Sequence, residues 1–242
     1  MNIKIFKASA RGHADYGWLK ANYSFSFSSY YNPESIHFGA LRVLNDDIIA
    51  GGQGFGAHGH DNMEIITIPI AGGLAHRDSM GNEEAVMAGE VQVMSAGTGV
   101  HHSEFNASKT TIANTLQIWL FPKKLNIKPR YEQKSFVEQI KPDTITTVVS
   151  ADIEKDKDAL WINQDAYFSI AKISAGKTID CAVRDRSHGI YAFVMAGKVT
   201  IADNVLANRD AAGLTQLPAQ VSIEAQEDSQ VLLMELPMQG NW

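Results

Sequence analysis

Short runs of alternating or β-branched residues, separated by Gly, Asn, Asp and Pro, most constrain the fold of this chain. Alternation with a period of two is typical of strands, and stretches with the 3.6-residue period of a helix are hard to find. The predicted strands are Leu41 to Leu44, Glu64 to Ile70, Glu90 to Met94, Thr115 to Leu120, Phe168 to Ile173, Tyr191 to Met195, Lys198 to Ile201 and Gln230 to Leu236. The pattern predicts an all-β fold. Pro69 indicates a sheet edge or a bulge, because proline cannot donate to a strand ladder.

The length of the chain predicts two modules. Its 242 residues exceed the needs of one small barrel and suit two units of roughly 100 to 130 residues each. Between Phe121 and Thr147 three prolines and many Lys, Asn and Gln residues interrupt the strand pattern, so we expect an extended crossover there. We place the boundary near Ser135, which gives modules 1–135 and 136–242.

Charge and cysteine content exclude several classes of protein. The formal net charge is −6 and no basic run exceeds Lys123-Lys124, so we expect no direct nucleic-acid binding. Cys181 is the only cysteine, which excludes an intramolecular disulfide and fits a reducing compartment. We find neither a signal-peptide pattern nor the ~18 uninterrupted apolar residues of a membrane span. We therefore expect a cytoplasmic protein with no membrane partner.

Two clusters carry the functional signal. His58 and His60 are two residues apart, and on an extended strand residues i and i+2 project from the same face. His102 and Glu104 repeat this spacing after a Gly-rich turn. Because His101 must then point the other way, we take His102 as the histidine that accompanies Glu104. The four side chains are candidates to bind one metal ion.

Three neutral imidazoles and a carboxylate suit one divalent transition-metal ion, with iron expected first and nickel, cobalt, copper, manganese or zinc as alternatives. Octahedral coordination would leave two positions for water, substrate or dioxygen, which indicates catalysis rather than scaffolding. Glu64 is a further candidate, either as a ligand or as the acceptor that holds one imidazole in place. The other interpretation, ordinary surface or core residues, is kept for the isolated histidines His13, His37, His76 and His188.

These residues resemble the two cupin motifs. The first motif is matched by Gly52, His58, His60 and Glu64, and the second by Gly89, Gly97, His102 and Asn106. Gly72 comes one residue late in the first motif, and Ser95 replaces a proline in the second. The resemblance implies two cupin barrels, each a double-stranded β-helix or jelly roll, in one chain.

The chain more specifically resembles the pirin family of bicupins, through the N-terminal half and more faintly through the second. The matching segments are Arg11 to Trp18, Phe25 to Phe27, Leu41 to Asp47, His58 to His60, Gly97 to Gly99 and His102 to Glu104. Pirins bind their metal through three histidines and a glutamate of the N-terminal cupin. The family pattern implies His58, His60, His102 and Glu104 as ligands and leaves Glu64 outside the set.

The resemblance implies two candidate functions. Bacterial pirin-like proteins are associated with quercetin 2,3-dioxygenase activity, in which O2 cleaves the central ring of a flavonol with loss of carbon monoxide. Glu104 would then be catalytic, accepting the proton of the flavonol hydroxyl. Four phenylalanines either wall an aromatic pocket or belong to the barrel core: Phe25, Phe27, Phe38 and Phe55. The alternative is a metal-binding regulatory protein without catalysis, which would contact protein partners. We expect a monomer.

The C-terminal module is predicted to lack metal ligands. A weak internal repeat relates Ala71-Gly72 and Ala88-Gly89 to Ala196-Gly197 and Ala212-Gly213. Counting from these glycines places Val183 and Asp185 at the first histidine cluster, and Gln226 and Asp228 at the second. Since His188 is the only histidine after His102, no shift of the count restores a histidine set.

Overall fold

Alternating and β-branched runs form strands along the whole described chain. The computed structural model describes residues 1–240, so positions 241 and 242 of the predicted C-terminal module lie outside the described residues. Within this range the only helical element is a 3₁₀ turn at Ala8–Ala10. No helix of these residues is long and apolar enough to cross a membrane. The all-β prediction is confirmed.

Most strands are joined by short turns, and the longest connection in the described residues, 24–40, lies between β3 and β4. The first half contains β1 (Asn2–Phe6), β2 (Gly12–Asp15), β3 (Leu19–Tyr23), β4 (Leu41–Ile49), β5 (Gly54–His60), β6 (Glu64–Ala71), β7 (Gly73–Asp78), β8 (Glu83–Met87), β9 (Glu90–Ser95), β10 (Val100–Asn106), β11 (Ala113–Leu120) and β12 (Arg130–Ser135). The second half contains β13 (Thr144–Ser150), β14 (Leu160–Trp161), β15 (Tyr167–Ile173), β16 (Thr178–Ala182), β17 (His188–Ala196), β18 (Val199–Ile201), β19 (Asn204–Leu206), β20 (Ala211–Thr215), β21 (Gln220–Ala225) and β22 (Ser229–Pro237). Every strand predicted from the sequence is present.

Each half forms a barrel from a large and a small sheet. In the described residues the large sheets run β12-β9-β6-β11-β4-β3-β2 and β1-β20-β17-β22-β15-β13-β14. The small sheets run β5-β10-β7-β8 and β16-β21-β18-β19. When β4 to β11 are matched in order with β15 to β22, the two sets of neighbours coincide. The second barrel therefore repeats the first.

The first half of the chain contributes one strand to the second barrel. β1 pairs antiparallel with β20, so the first strand of the chain lies in the second barrel's large sheet. The predicted division near Ser135 falls where β12 ends, and we retain it as a proposal.

Two predictions that were based on prolines have different outcomes. The extended crossover predicted between Phe121 and Thr147 is wrong for Arg130–Ser135, because β12 pairs there with β9 at a sheet edge. None of the β12 residues is buried, so the strand lacks the apolar alternation that reveals a strand in sequence. The bulge predicted at Pro69 is confirmed, since the register between β6 and β11 shifts beside it.

The two large sheets pack against each other through an apolar core. Phe25 and Phe38 from the first half join Phe168, Tyr191 and Leu232 from the second in this cluster. Burying each such large apolar side chain contributes about 1.5–3 kcal/mol. This shared core fixes the barrels to one another and leaves the opposite face of each large sheet to line its own barrel.

Candidate metal centre

β5 and β10 bring three histidines together inside the first barrel. The two strands are antiparallel neighbours, with His58 directly opposite His102. The ring centroids of His58 and His102 are 4.4 Å apart, and that of His60 is 4.9 Å from each. One ring nitrogen from each residue lies within 4.8 Å of the others. The sequence-predicted histidines thus converge on a space suitable for one ion.

Strand alternation separates His102 from its neighbour. His102 is 3% exposed and faces the barrel interior, whereas His101 is exposed and packs beside Gly59. Within residues 1–240, neither ring nitrogen of His102 has a hydrogen-bond partner. Leaving a buried polar group unpaired costs about 1–3 kcal/mol, so this imidazole fits a ligand better than a packing residue.

His60 and His102 are neutral at physiological pH. Burial lowers the pKa of His102 to about 3, and the neighbouring His58 and His60 lower it further. Burial also lowers the pKa of His60 to about 4, assisted by His58. Only a neutral imidazole has a free lone pair for a metal ion. The donor set therefore fits a divalent cation.

Glu104 is held on the same strand, deep in the barrel. It is 2% exposed, and its carboxylate accepts hydrogen bonds from Gln117 Nε2 at 2.8 Å and Thr67 Oγ1 at 3.4 Å. Burial raises the pKa of Glu104, whereas a cation bound nearby would lower this pKa and favour the ionised form. Its oxygen lies within 4.8 Å of ligand nitrogens of His102 and His76. The four predicted residues and His76 thus form two overlapping trios that share His102.

His76 is a residue of the site that we had assigned to ordinary packing. It lies on β7 opposite Glu104, and its ring centroid is 5.3 Å from that of His102. Its Nε2 is 3.1 Å from Asp78 Oδ2, with both side chains fully buried, and Tyr131 stacks on the ring at 4.6 Å. The i, i+2 spacing of His76 and Asp78, the same as in the other clusters, is the signal that could have found it.

Glu64 has neither of the two roles considered for it. Its Oε2 accepts hydrogen bonds from Ser95 Oγ at 2.7 Å and from the Asn163 backbone N–H at 3.1 Å. Burial raises its pKa to about 7. The carboxyl group therefore joins β6 to β9 and to the segment that precedes β15, rather than orienting an imidazole.

A cavity of about 390 Å³ opens beside the cluster. His58 and Glu104 both line it. Six aromatic side chains form one part of its wall: Tyr16, Trp18, Tyr23, Phe27, Phe55 and Trp119. The Trp119 ring stands edge-on to His60 with the centroids 4.9 Å apart. Of the four phenylalanines considered for a pocket, two line the cavity and two, Phe25 and Phe38, lie in the core between the barrels.

Comparison with known proteins places the chain in a family. Residues 5–120 match the family model described as Pirin, and residues 147–236 match the one described as Quercetinase C-terminal cupin domain. The chain is 41% identical over 236 residues to the quercetin 2,3-dioxygenase of Escherichia coli strain K12, covering 97% of this chain and 99% of that protein. The chain belongs to the pirin family. The predicted pair of cupin barrels is confirmed.

Other pirins agree over the whole length. The chain is 41% identical over 225 residues to the pirin-like protein of Caulobacter vibrioides, covering 93% of this chain and 95% of that one. The crystal structure of the Escherichia coli pirin YhhW in complex with nickel(II) superposes with a TM-score of 0.91 at 39% identity. That match covers 98% of this chain and 100% of the other.

The second barrel of this pirin has apolar side chains where the first has the histidines. β16 and β21 pair Cys181 with Val221 as β5 and β10 pair His58 with His102. Two residues on, Ile223 takes the position of Glu104. These residues pack in the apolar core of the second barrel, where burial raises the pKa of the Cys181 thiol to about 11.

The positions counted from the internal repeat differ from this register. Of the four counted residues only Val183 falls on a ligand position, and it corresponds to His60 rather than His58. For Gln226 and Asp228 the cause is Gly213, which lies inside β20, whereas Gly89 forms the turn before β9. The prediction of a second cupin without metal ligands stays a prediction, supported by the apolar residues at these positions.

Proposed function

We propose that this pirin is a metal-dependent dioxygenase that cleaves flavonols such as quercetin with O2 and releases carbon monoxide. The observation that carries the proposal is that His58 and Glu104 line the same cavity as six aromatic side chains. Apolar walls with a few convergent polar groups are typical of sites for small aromatic ligands. The names of relatives at 41% identity support the same activity.

We propose His58, His60, His102 and Glu104 as the ligands of one divalent metal ion. Convergence of the three imidazoles, the unpaired nitrogens of His102 and the buried carboxylate support this set. Iron is the ion we expect, while nickel, cobalt, copper, manganese and zinc suit the same donors. Nickel(II) is the ion in the YhhW structure. When bound, the ion would supply Lewis acidity towards the flavonol hydroxyl and open positions for small ligands.

Glu104 is the proposed catalytic base. Gln117 and Thr67 hold its carboxylate, and burial raises its pKa, which strengthens it as an acceptor for the proton of the flavonol 3-hydroxyl. The proton would pass to a Glu104 oxygen. The flavonol itself supplies the electrons that O2 takes up, and one ring carbon leaves as carbon monoxide, so no further reductant is needed.

The aromatic wall would orient the substrate and exclude water. Trp119 stands between His60 and Phe27, with ring centroids 4.9 Å and 5.3 Å away. Trp18 and Phe55 contact one another edge to face on the cavity wall, with centroids 5.4 Å apart. Flat rings stack favourably on such surfaces, and each aromatic contact contributes about 0.5–1.5 kcal/mol beyond area burial.

The test is turnover by protein loaded separately with each of the six ions. Oxygen uptake with quercetin is followed at an electrode, and carbon monoxide is trapped with ferrous myoglobin. We expect O2 consumption and carbon monoxide release in equal amounts, retained in His101→Ala and abolished in His102→Ala. Absence of turnover with every ion would overturn the dioxygenase and leave the metal-binding regulatory protein as the function to pursue.

A further inference from the structure

One part of the cavity wall is polar and has no role in the metal cluster. Asn45 and Asp47 line the cavity from β4, and each is 4% exposed. The Oδ1 atom of each is buried and lacks a hydrogen-bond partner among residues 1–240. Each unpaired buried group costs about 1–3 kcal/mol. Two of them at successive inward positions of one strand indicate a missing ligand.

Comparison with the second barrel indicates that a barrel of this fold can form without a carboxyl group at the position of Asp47. β4 and β11 pair Asp47 with Thr115, and β15 and β22 pair Ala171 with Val231 at the same place. Both pairs stand beside matching bulges in the neighbouring strand. Ala171 and Val231 are buried in an apolar core. The same backbone position therefore accepts a small apolar side chain where the interior is simply packed.

We propose that Asp47 and Asn45 form a polar subsite that binds a second hydroxyl group of the aromatic substrate, separate from the hydroxyl that faces the histidines. The inference rests on the proposed function, because it takes the substrate to be a flavonol. It makes Asp47 a determinant of specificity among flavonols, and it leaves the metal ligands unchanged.

The protonation state of Asp47 suits such a partner. Burial raises its pKa to about 8, with further contributions from Asp46 and Glu104. A carboxyl group that carries a proton can both donate and accept a hydrogen bond, as can the Asn45 amide and a phenolic hydroxyl. A substrate without that hydroxyl would leave both residues unpaired, which is the strongest basis for rejecting an analogue.

The test compares two ligands and keeps binding separate from turnover. Metal-loaded protein is titrated without O2 with quercetin and with 3-hydroxyflavone, which retains the 3-hydroxyl but lacks the others, and tryptophan quenching gives each Kd. We define the preference as the Kd for 3-hydroxyflavone divided by the Kd for quercetin. We expect this ratio to fall roughly tenfold in Asp47→Ala, which copies Ala171, because tenfold is the scale of one hydrogen bond. Asp47→Asn keeps a donor and an acceptor and should stay within about threefold of wild type.

Folding and metal loading are controlled by melting temperature and elemental analysis of each variant. If Asp47→Ala is insoluble, Asn45→Ala, which removes both the donor and the acceptor of that side chain, is measured instead with the same expectation. An unchanged preference for quercetin overturns the subsite and leaves the dioxygenase standing. A lost preference without turnover by wild type supports the subsite and overturns the dioxygenase. Failure of wild type to bind either flavonol overturns both.

Discussion

The two barrels of this pirin share a strand order and differ in what fills them. Inside the second barrel stand Val221, Ile223 and Leu233, all buried and apolar. At the matching positions of the first stand His102, Glu104 and Gln117. Because the second barrel and the core between the barrels supply apolar packing, the first can keep buried polar groups that weaken a fold. Duplication thus separates the stabilising part of the molecule from the chemical part.

The largest expected effect is on metal affinity, when His102 is replaced by valine, the residue found at the matching position of the second barrel, Val221. His102→Val should lower metal affinity more than roughly 100-fold, because even partners outside the ligand set cost 10- to 100-fold when lost. His101→Val, on the outer face of the same strand, is the matched control and should keep its metal. Equilibrium dialysis with elemental analysis measures both. Loss of metal from the His101 variant alone would reverse the choice between the two histidines.

A second expected effect concerns stability as a function of pH. The pKa of Asp47 is raised from 3.8 to about 8 in the folded protein. As pH rises from 4 to 8 the unfolded chain releases this proton while the folded chain retains it, so folding becomes less favourable across that window. Metal-free Asp47→Asn should match wild type at pH 4 and exceed its unfolding free energy by at least about 2 kcal/mol at pH 8.

Urea unfolding at several pH values checks this prediction. The matched control is Asp165→Asn, which alters an exposed carboxylate paired with Lys123 and should show no comparable gain. If the unfolding free energies of wild type and Asp47→Asn change with pH in parallel between pH 4 and 8, the raised pKa of Asp47 is contradicted.

The smallest expected effect is on the orientation of Glu104, the proposed catalytic base. Gln117→Leu copies Leu233 and removes the 2.8 Å hydrogen bond to Glu104, so kcat should fall roughly tenfold with KM little changed. Thr67→Ala copies Ala192 and removes the 3.4 Å contact with Glu104 and the 3.1 Å hydrogen bond to Gln117 Oε1. It leaves the 2.8 Å hydrogen bond from Gln117 to Glu104 in place, so its kcat should fall less. Steady-state oxygen uptake gives both constants. The reverse ranking would show that Thr67 positions the base.

Sequence reasoning found what depends on spacing within one strand. The i, i+2 rule identified His58 with His60 and His102 with Glu104, because strand alternation alone decides that they share a face. The same rule could have indicated His76 with Asp78, but the place of His76 opposite Glu104 depends on the pairing of β7 with β10.

Polar runs inside strands misled the same reasoning. The predicted strand stopped at Leu44 because Asn45, Asp46 and Asp47 have the composition of a turn. In the structure β4 continues to Ile49 and buries all three side chains. Asp46 faces the second barrel, where Arg11 and Arg209 approach its carboxylate, while Asp47 faces the cavity. Composition could not reveal partners supplied by distant parts of the chain.

The pairing of β1 with β20 affects the order in which the two barrels can form during translation. Asn2–Phe6 pairs with a strand that ends at Thr215, so this segment leaves the exit tunnel well before its neighbour in the sheet has been made. Contacts this distant in sequence form slowly. The first barrel can close from β2 to β12, whereas the second barrel stays open until β15 to β22 have been made. Ion capture during translation would therefore precede final assembly.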